Sequence, residues 1–331
     1  MIMGARRRST RPWGWVAAFA GLLVLLAGLG LAFAPAVFPY LTRGPLHLSL
    51  RPPPAPGFDA APGPAQGQVV DGHWRVQPIA PDTYAIGEPA DAPDNYEYLL
   101  VGQKRALLID SGATDRDIHP ALAGLTRLPI VVVPTHLHYD HTNGLRHFDD
   151  VALVDLPETR GRVRDGKVHL SFREYQGPMR AAPVFEVNEW VRPGGVIDLG
   201  GRAVTLLSTP GHTATSISIS DPAHKLLFTG DLIYTTSLYA FMPDSSLAAY
   251  VDTLDRLRAR LPADTRVYGA HCCRNDVPAQ APWLGMQDLA DARTAVQAIR
   301  TGQAHGRGLV LRRFPVNRRM TLITFYPFGN H

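Results

Sequence analysis

The sequence predicts an α+β domain that follows an N-terminal transmembrane helix and a proline-rich linker. Short runs of β-branched and aliphatic residues, which are typical of strands, recur between residues 69 and 325. Two longer segments of the same region, residues 247–261 and 283–300, carry apolar residues at helical spacing. Ahead of this region lies a stretch of 26 residues without a charged side chain, residues 13–38.

The uncharged stretch is long enough to span a hydrocarbon core of roughly 30 Å, with Trp13, Trp15 and Tyr40 where interfacial aromatic residues lie. Because arginines precede it, the positive-inside rule keeps residues 1–12 in the cytoplasm. We therefore interpret residues 13–40 as a membrane anchor and predict that the rest of the chain lies outside the cytoplasm, on the periplasmic or extracellular side. A cleaved signal peptide is the alternative, although Pro35 directly follows the small-x-small pattern of residues 32–34.

Residues 41–68 are rich in proline, glycine and alanine, a composition that is typical of a semi-rigid tether. The catalytic domain is then expected over residues 69–331. The net charge of +4 comes from the leader, because without five of its arginines 28 basic residues face 29 acidic ones. These arginines are Arg6, Arg7, Arg8, Arg11 and Arg43. The nearly equal numbers of basic and acidic residues in the rest of the chain give no indication of nucleic-acid binding.

Within the domain the pattern of apolar runs and turn residues predicts a series of short strands. They are expected at residues 74–79, 83–86, 96–101, 106–109, 130–134, 151–154, 204–207, 216–220, 226–228, 266–268, 308–314 and 319–325. A helix is also expected over residues 115–125, capped by Asp115. Residues 161–191 have weak periodicity and several aromatic residues, which indicates either a lid or a surface insertion that packs its aromatic side chains on the body.

The strongest motif of the chain follows the strand predicted at residues 130–134. There the sequence reads H-L-H-Y-D-H, with His136, His138, Asp140 and His141 as potential metal ligands. If the strand continues, alternate side chains share a face, so the first three of these residues point the same way and the fourth lies at the turn. Imidazole and carboxylate groups are common ligands of zinc and related ions. The motif therefore predicts a metal site.

Three further potential ligands, His212, Asp231 and His271, each follow a short apolar strand. Since strands of one sheet end on a common rim, loops at those ends can converge on one site. Three imidazoles and a shared carboxylate, together with one aspartate and two imidazoles, would satisfy two cations.

The ordered set of motifs, which also includes Asp110, resembles the metallo-β-lactamase-fold hydrolases over residues 69–325. Within that superfamily the acyl-coenzyme A thioesterase subgroup is most similar, on the segments PTHLHYDHTNGLRHFDDV and STPGHTATSISISDPAHKLLFTGDLIY. The resemblance implies an αββα sandwich, in which two mixed sheets are faced by helices. Asp231 also resembles the bridging carboxylate of glyoxalase II and the lactonases. Asn143 departs from the common H-x-H-x-D-H-x-G-G pattern.

The resemblance also implies how the ligands divide between two divalent metal ions, with zinc as the expected metal. One ion would take His136, His138 and His212, the other would take Asp140, His141 and His271, and Asp231 would bridge the two. Asp110 would orient a ligand rather than bind metal. Tyr234 occupies the position of a substrate-facing tyrosine in the similar lactonases. Its phenol and the carboxyl of Asp140 are the two candidate proton donors. The alternative for Tyr234 is that its ring only packs in the loop.

We therefore expect a metal-dependent hydrolase that cleaves an ester, thioester or lactone bond of a small molecule with a hydroxide held by two metal ions. The thioesterase resemblance conflicts with the predicted export, because coenzyme A is a cytoplasmic molecule. Three alternatives stay open. They are a β-lactamase, which Asp231 disfavours, a persulfide dioxygenase with one iron at His136, His212 and Asp231, and a non-catalytic binding module.

Overall fold

The computed structural model describes residues 67–88, 95–177, 181–272, 281, 283–308 and 311–325. The predicted membrane anchor and nearly all of the predicted linker lie outside the described residues. Among the helices that the structure does describe, none combines the length and the apolar character needed to cross a bilayer.

The first sheet has six strands that follow one another in chain order. They are β1 (Gln68–Val70), β2 (Trp74–Ala80), β3 (Thr83–Glu88), β4 (Asn95–Val101), β5 (Ala106–Ile109) and β6 (Ile130–Val133). All neighbours are antiparallel except β5 and β6, which run parallel. The connection between these two contains the short helix α1 (His119–Leu122). A parallel pair, β7 (Ala152–Val154) and β11 (Glu189–Val191), continues beyond β6 through a bridge from Val132 to Val151.

The second sheet has five strands in the order β12, β13, β14, β15 and β17. Their bounds are Val196–Asp198, Ala203–Ser208, Ile217–Asp221, Leu226–Phe228 and Arg266–Tyr268. The sheet is mixed, because β15 and β17 are parallel while the other pairs are antiparallel. Beside it, β16 (Thr236–Tyr239), β19 (Met320–Phe325) and β18 (Leu311–Pro315) form a three-stranded sheet.

The remaining elements are short except for two helices. The segment after β7 contains α3 (Pro157–Arg160), β8 (Val163–Arg164), β9 (Lys167–His169), α4 (Phe172–Tyr175) and β10 (Val184–Glu186), and α2 (Tyr139–Thr142) follows β6. A 3-10 turn, Asn143–His147, continues α2. The long helices are α5 (Leu247–Arg260) and α6 (Met286–Arg300).

Three apolar clusters hold these layers together. The first lies between the two sheets, where Tyr98 and Leu107 share a core with Leu206 and Phe228. A second cluster joins the outer face of the second sheet to α5 and α6, and a third covers the outer face of the first sheet with α1 and the loops around it. The described residues therefore form helical layers on either side of two packed sheets, the αββα sandwich that the resemblance implies.

The helix predicted over residues 115–125 is wrong in length. Helix α1 covers only His119–Leu122, and Ile118 precedes it without a side-chain cap. Pro120 explains this start, because proline is tolerated only in the first helical turn. The last long helix also begins later than predicted, at Met286, where the backbone N–H of Gly285 donates to Asp288 Oδ2 at 2.8 Å.

Candidate metal centre

The H-x-H-x-D-H residues do not lie on one extended segment as predicted. Strand β6 ends at Val133, and α2 begins directly after His138. The backbone carbonyl of His138 accepts a hydrogen bond from Thr142 Oγ1 at 2.9 Å. Asp140 and His141 therefore belong to a helical turn. The shared face arises from a loop and a helix start, because the local hydrogen bonds bend the chain before a strand period can continue.

The other three ligand candidates follow strands of the second sheet, as predicted. Two of them are preceded by a glycine in a place where a side chain does not fit. A Cβ at Gly211, next to His212, would lie 2.8 Å from the ring of Tyr250. A Cβ at Gly230, next to Asp231, would collide with Thr135 Oγ1, and the backbone there has a positive φ of 50°.

The seven side chains form two groups whose ligand atoms lie within 4.8 Å of one another. The first group is His136, His138, His212 and Asp231, and the second is Asp140, His141 and His271. All of these residues are buried, with exposures of 7% or less. The first group thus holds the three histidines that the resemblance assigns to one ion together with Asp231, and the second holds the three residues that it assigns to the other.

Asp231 lies between the two groups. Its Oδ2 is 3.5 Å from His212 Nε2, and its Oδ1 is 3.0 Å from His271 Nε2 and 3.4 Å from His141 Nε2. Within the second group, Asp140 Oδ2 lies 3.6 Å from His271 Nε2. The two oxygens of Asp231 thus face different groups, which is the arrangement a bridging ligand needs.

The donor set of the first group fits a cation. His212 Nδ1 must donate to the carbonyl of Tyr239 at 2.7 Å, so its Nε2 carries a lone pair. This Nε2 lies 3.1 Å from His138 Nδ1, which lies 2.9 Å from His136 Nε2. Nitrogen lone pairs that converge in a buried place repel one another unless a cation or a proton lies among them.

Three buried atoms around the second group lack a hydrogen-bond partner among the described residues, namely His141 Nε2, His271 Nδ1 and Asp231 Oδ1. His141 Nε2 and Asp231 Oδ1 lie 3.4 Å apart, both at ligand positions. Unpaired polar atoms in an interior are costly, and a divalent cation between them would satisfy both.

Asp110 holds His141 from behind. Its Oδ2 lies 2.8 Å from His141 Nδ1, and it accepts hydrogen bonds from Thr135, at 2.6 Å from the backbone N–H and 3.0 Å from Oγ1. A carboxylate on the distal imidazole nitrogen fixes the tautomer and the orientation of a ligating histidine. In this structure Asp110 contacts a ligand candidate and lies outside both ligand groups.

The charges of the site also favour a cation. Burial, followed by the charge of His141, keeps the pKa of His136 well below its ordinary value. Burial and His212 lower the pKa of His138 to about 3. Both imidazoles are therefore neutral and offer lone pairs.

The second half is biased toward positive charge. Burial opposes protonation of His141, but Asp110, Asp231 and Asp140 raise its pKa well above the ordinary value. The pKa of His271 is raised in the same way, against burial, by Asp231. Burial acts against a charged Asp231, yet His271 and His141 bring its pKa well below normal. A bound cation would take the place of the protons that these carboxylates attract.

The sequence analysis missed Asn95, which connects the two loops of the second group. Its Nδ2 donates to the carbonyl of Asp140 and to Glu97 Oε1, both at 2.8 Å, and lies 3.4 Å from Glu88 Oε2. The backbone of Asn95 pairs with that of His271. The signal was visible in N-Y-E-Y-L-L-V, because asparagine and glutamate are unusual in a buried strand.

Glu97 behind this asparagine is fully buried. Burial, then the charges of Glu88 and Asp110, raise the pKa of Glu97 well above the ordinary value. Its protonated form is therefore favoured next to the centre.

The predicted donor Tyr234 is engaged elsewhere in this structure. It is 2% exposed, and its hydroxyl donates to the carbonyl of Ser237 at 2.6 Å. Its ring packs edge-on against His271 with 5.2 Å between the ring centres. This geometry corresponds to the packing alternative, because the hydroxyl proton is directed to the backbone.

A model of the metallo-beta-lactamase superfamily matches residues 96–271, a range that includes every ligand candidate. Among curated proteins, acyl-coenzyme A thioesterase MBLAC2 of Gallus gallus is 34% identical over 180 residues, 48% of this chain and 65% of that protein. Hydroxyacylglutathione hydrolase of Aeromonas salmonicida is 28% identical over 185 residues, 54% of this chain and 61% of that protein. The chain thus spans just under two thirds of the length of these relatives.

Solved structures share the fold at low sequence identity. A metallo-beta-lactamase from Pontibacter korlensis aligns with a TM-score of 0.52 and 18% identity, over 68% of this chain and 99% of that chain. One from Erythrobacter litoralis aligns with a TM-score of 0.51 and 16% identity, over 69% and 98%. At this identity the likeness concerns the fold alone.

Proposed function

The chain belongs to the metallo-beta-lactamase superfamily, and on this basis we propose that it is a hydrolase that cleaves the acyl bond of a thioester at a two-metal centre. The observation that carries the proposal is the pair of buried ligand groups with Asp231 between them. Two divalent cations, with zinc as the expected metal, would lower the pKa of a water molecule and polarise the substrate carbonyl.

The residues of the chain would contribute position and charge. His136 and His138 offer neutral imidazoles, His212 offers its Nε2, and Asp231 supplies a carboxylate to both halves. Asp110 fixes the ring of His141 through Nδ1, so that Nε2 stays directed at the centre. Burial of the whole set excludes bulk water and strengthens each of these electrostatic interactions.

The leaving group favours a thioester over an ester or a lactone. A thiol has a pKa near ~8.5, so a thiolate departs without taking up a proton. An alkoxide needs a proton donor. Of the two predicted donors, the hydroxyl of Tyr234 points to the carbonyl of Ser237, and Asp140 belongs to the second ligand group. The names of the relatives agree with this choice, since one is an acyl-coenzyme A thioesterase and another acts on hydroxyacylglutathione.

A turnover panel tests the proposed reaction. The full chain, supplied with zinc, is expected to release free thiol from acyl-coenzyme A or acyl-glutathione and to lose this activity when a chelator removes the metal. Ring opening of a lactone or of the β-lactam nitrocefin without thiol release would contradict the thioester proposal. Oxygen consumption with a persulfide as the substrate would overturn hydrolysis altogether.

We also propose that residues 13–40 anchor the domain to a membrane and that the domain lies outside the cytoplasm. The support is the uncharged stretch of 26 residues with arginines ahead of it. A reporter enzyme that is active only outside the cytoplasm, fused to the C-terminus, is expected to be active. A reporter that works only in the cytoplasm would contradict export and would make intracellular coenzyme A esters accessible substrates.

A further inference from the structure

One part of the segment after β7 packs directly on the helix that carries two metal ligands. Tyr175, at the end of α4, is 2% exposed, and its hydroxyl donates to Asn143 Oδ1 at 3.0 Å. Asn143 follows α2 immediately, two residues after the ligand His141. The hydrogen bond thus joins a segment that is distant in sequence to the base of the metal centre.

Asn143 is itself held from two sides. Its Nδ2 donates to the carbonyl of Ala113 at 3.0 Å, and its Oδ1 also accepts from Arg146 Nη2 at 2.9 Å. The orientation of the amide is therefore fixed, with the oxygen toward Tyr175. A glycine, which the common motif has at this position, offers no such acceptor. The contact is accordingly a consequence of the departure at Asn143.

The residues after Tyr175 lie against Tyr139, the residue between the ligands His138 and Asp140. A Cβ on Gly177 would collide with the ring of Tyr175 and come within 2.8 Å of Tyr139 Cβ. The rings of Tyr139 and Tyr175 meet edge-to-face with 6.3 Å between their centres. Gln176, between Tyr175 and Gly177 in the chain, has a positive φ of 48°, a strained backbone conformation that surrounding contacts must hold.

Tyr139 is the more exposed member of this group. It is half-buried, whereas the ligands on either side of it are buried. A half-buried aromatic ring offers apolar surface to a substrate, and this one belongs to the residue between two ligand candidates in the chain. We define residues 175–177 together with Tyr139 as the aromatic wall.

We propose that the hydrogen bond from Tyr175 to Asn143 locks the aromatic wall beside the metal centre, and that this wall sets the size of the apolar acyl group. The inference rests on the proposed thioester hydrolysis and adds the specificity of the same site. Tyr175 and Asn143 act as positioning residues, because they hold Tyr139 and Gly177 rather than the reacting atoms.

The test compares Tyr175→Phe and Gly177→Ala with the wild type on acetyl-, octanoyl- and palmitoyl-coenzyme A. Loss of the hydroxyl should raise the KM for the best wild-type substrate about 5-fold, the value of one ordinary hydrogen bond, while kcat and the metal content stay near those of the wild type. Gly177→Ala should change the order of preference among the three chain lengths. Tyr84→Phe is the matched control. Glu88, at one end of β3, lies near the centre through its contact with Asn95, whereas Tyr84 lies at the other end of the strand.

Hydrogen exchange gives a readout that does not depend on activity. Amides of residues 171–177 are expected to exchange faster in Tyr175→Phe than in the Tyr84→Phe control. Unchanged exchange in Tyr175→Phe, together with unchanged KM values for the three substrates, would overturn the proposed role of the aromatic wall. A wild type that cleaves no thioester would instead overturn the proposed function, and faster exchange in Tyr175→Phe would then still support the lock.

Discussion

Replacing Asp231 by alanine should remove metal from the protein and lower hydrolysis by at least about 100-fold. Losing a residue that only supports a ligand already costs about 10- to 100-fold, and Asp231 lies among the ligands of both groups. Without its carboxylate, His212, His141 and His271 lose the charge that balances a cation. Metal analysis of the purified variant and thiol release from an acyl thioester are the measurements.

The fold is expected to survive this substitution, because the described contacts of the Asp231 carboxylate are to imidazoles and not to the three apolar clusters. Circular dichroism and a cooperative thermal transition should therefore resemble those of the wild type. Asp252→Asn on the exposed face of α5 serves as the matched control and should keep full activity. Full metal content and activity in Asp231→Ala would rule out the bridging role.

Replacing Arg202 by methionine should give the largest loss of stability. Arg202 is 6% exposed and donates to Asp221 Oδ2, at 3.0 Å from Nε and 2.5 Å from Nη2. It also donates to the carbonyl of Asp82 at 2.8 Å and to Thr83 Oγ1 at 2.7 Å. Since Asp82 lies in the β2–β3 turn and Thr83 begins β3, this guanidinium joins the first sheet to the second.

Without Arg202 the carboxylate of Asp221 stays fully buried, and His224 Nδ1, at 2.8 Å, is its remaining side-chain partner among the described residues. Breaking a buried ion pair in this way costs about 3–5 kcal/mol. We expect a value near the lower end, since His224 remains as a partner. Chemical denaturation of the metal-loaded protein measures the loss as a lower midpoint.

Two further variants separate this explanation from a general effect of substitution. Arg202→Met combined with Asp221→Leu should regain part of the lost stability, because no buried charge is left unpaired. Lys225→Met, which removes an exposed ion pair with Asp264, should leave the denaturation midpoint where it was. If the double variant were no more stable than Arg202→Met alone, the unpaired carboxylate would not be the cause.

Much of the sheet structure was predictable from sequence. The strands at residues 106–109, 226–228 and 266–268 have the predicted bounds. The first two are apolar runs, the third is Arg-Val-Tyr, and glycine follows each of them within three residues. The seven ligand candidates could also be named, because the H-x-H-x-D-H motif rarely arises by chance and the other three candidates each follow a short apolar strand. Their division into two groups came from the family resemblance rather than from the spacing.

The parts that sequence did not predict depend on contacts between distant residues. Asn95 and Asp140 are 45 positions apart, and Arg202 and Thr83 are 119 apart, so no local pattern joins them. The course of the ligand loop was mistaken for a different, local reason. A strand period predicts alternation, but the hydrogen bond of Thr142 to His138 starts a helix in its place.

A metal titration of the apo wild type, with bound metal per chain and thiol release followed together, tests the two-metal centre most directly. Thioester hydrolysis is expected to reach its maximum when two divalent cations are bound per chain. Full activity with a single cation, or with none, would contradict the two-metal centre around Asp231.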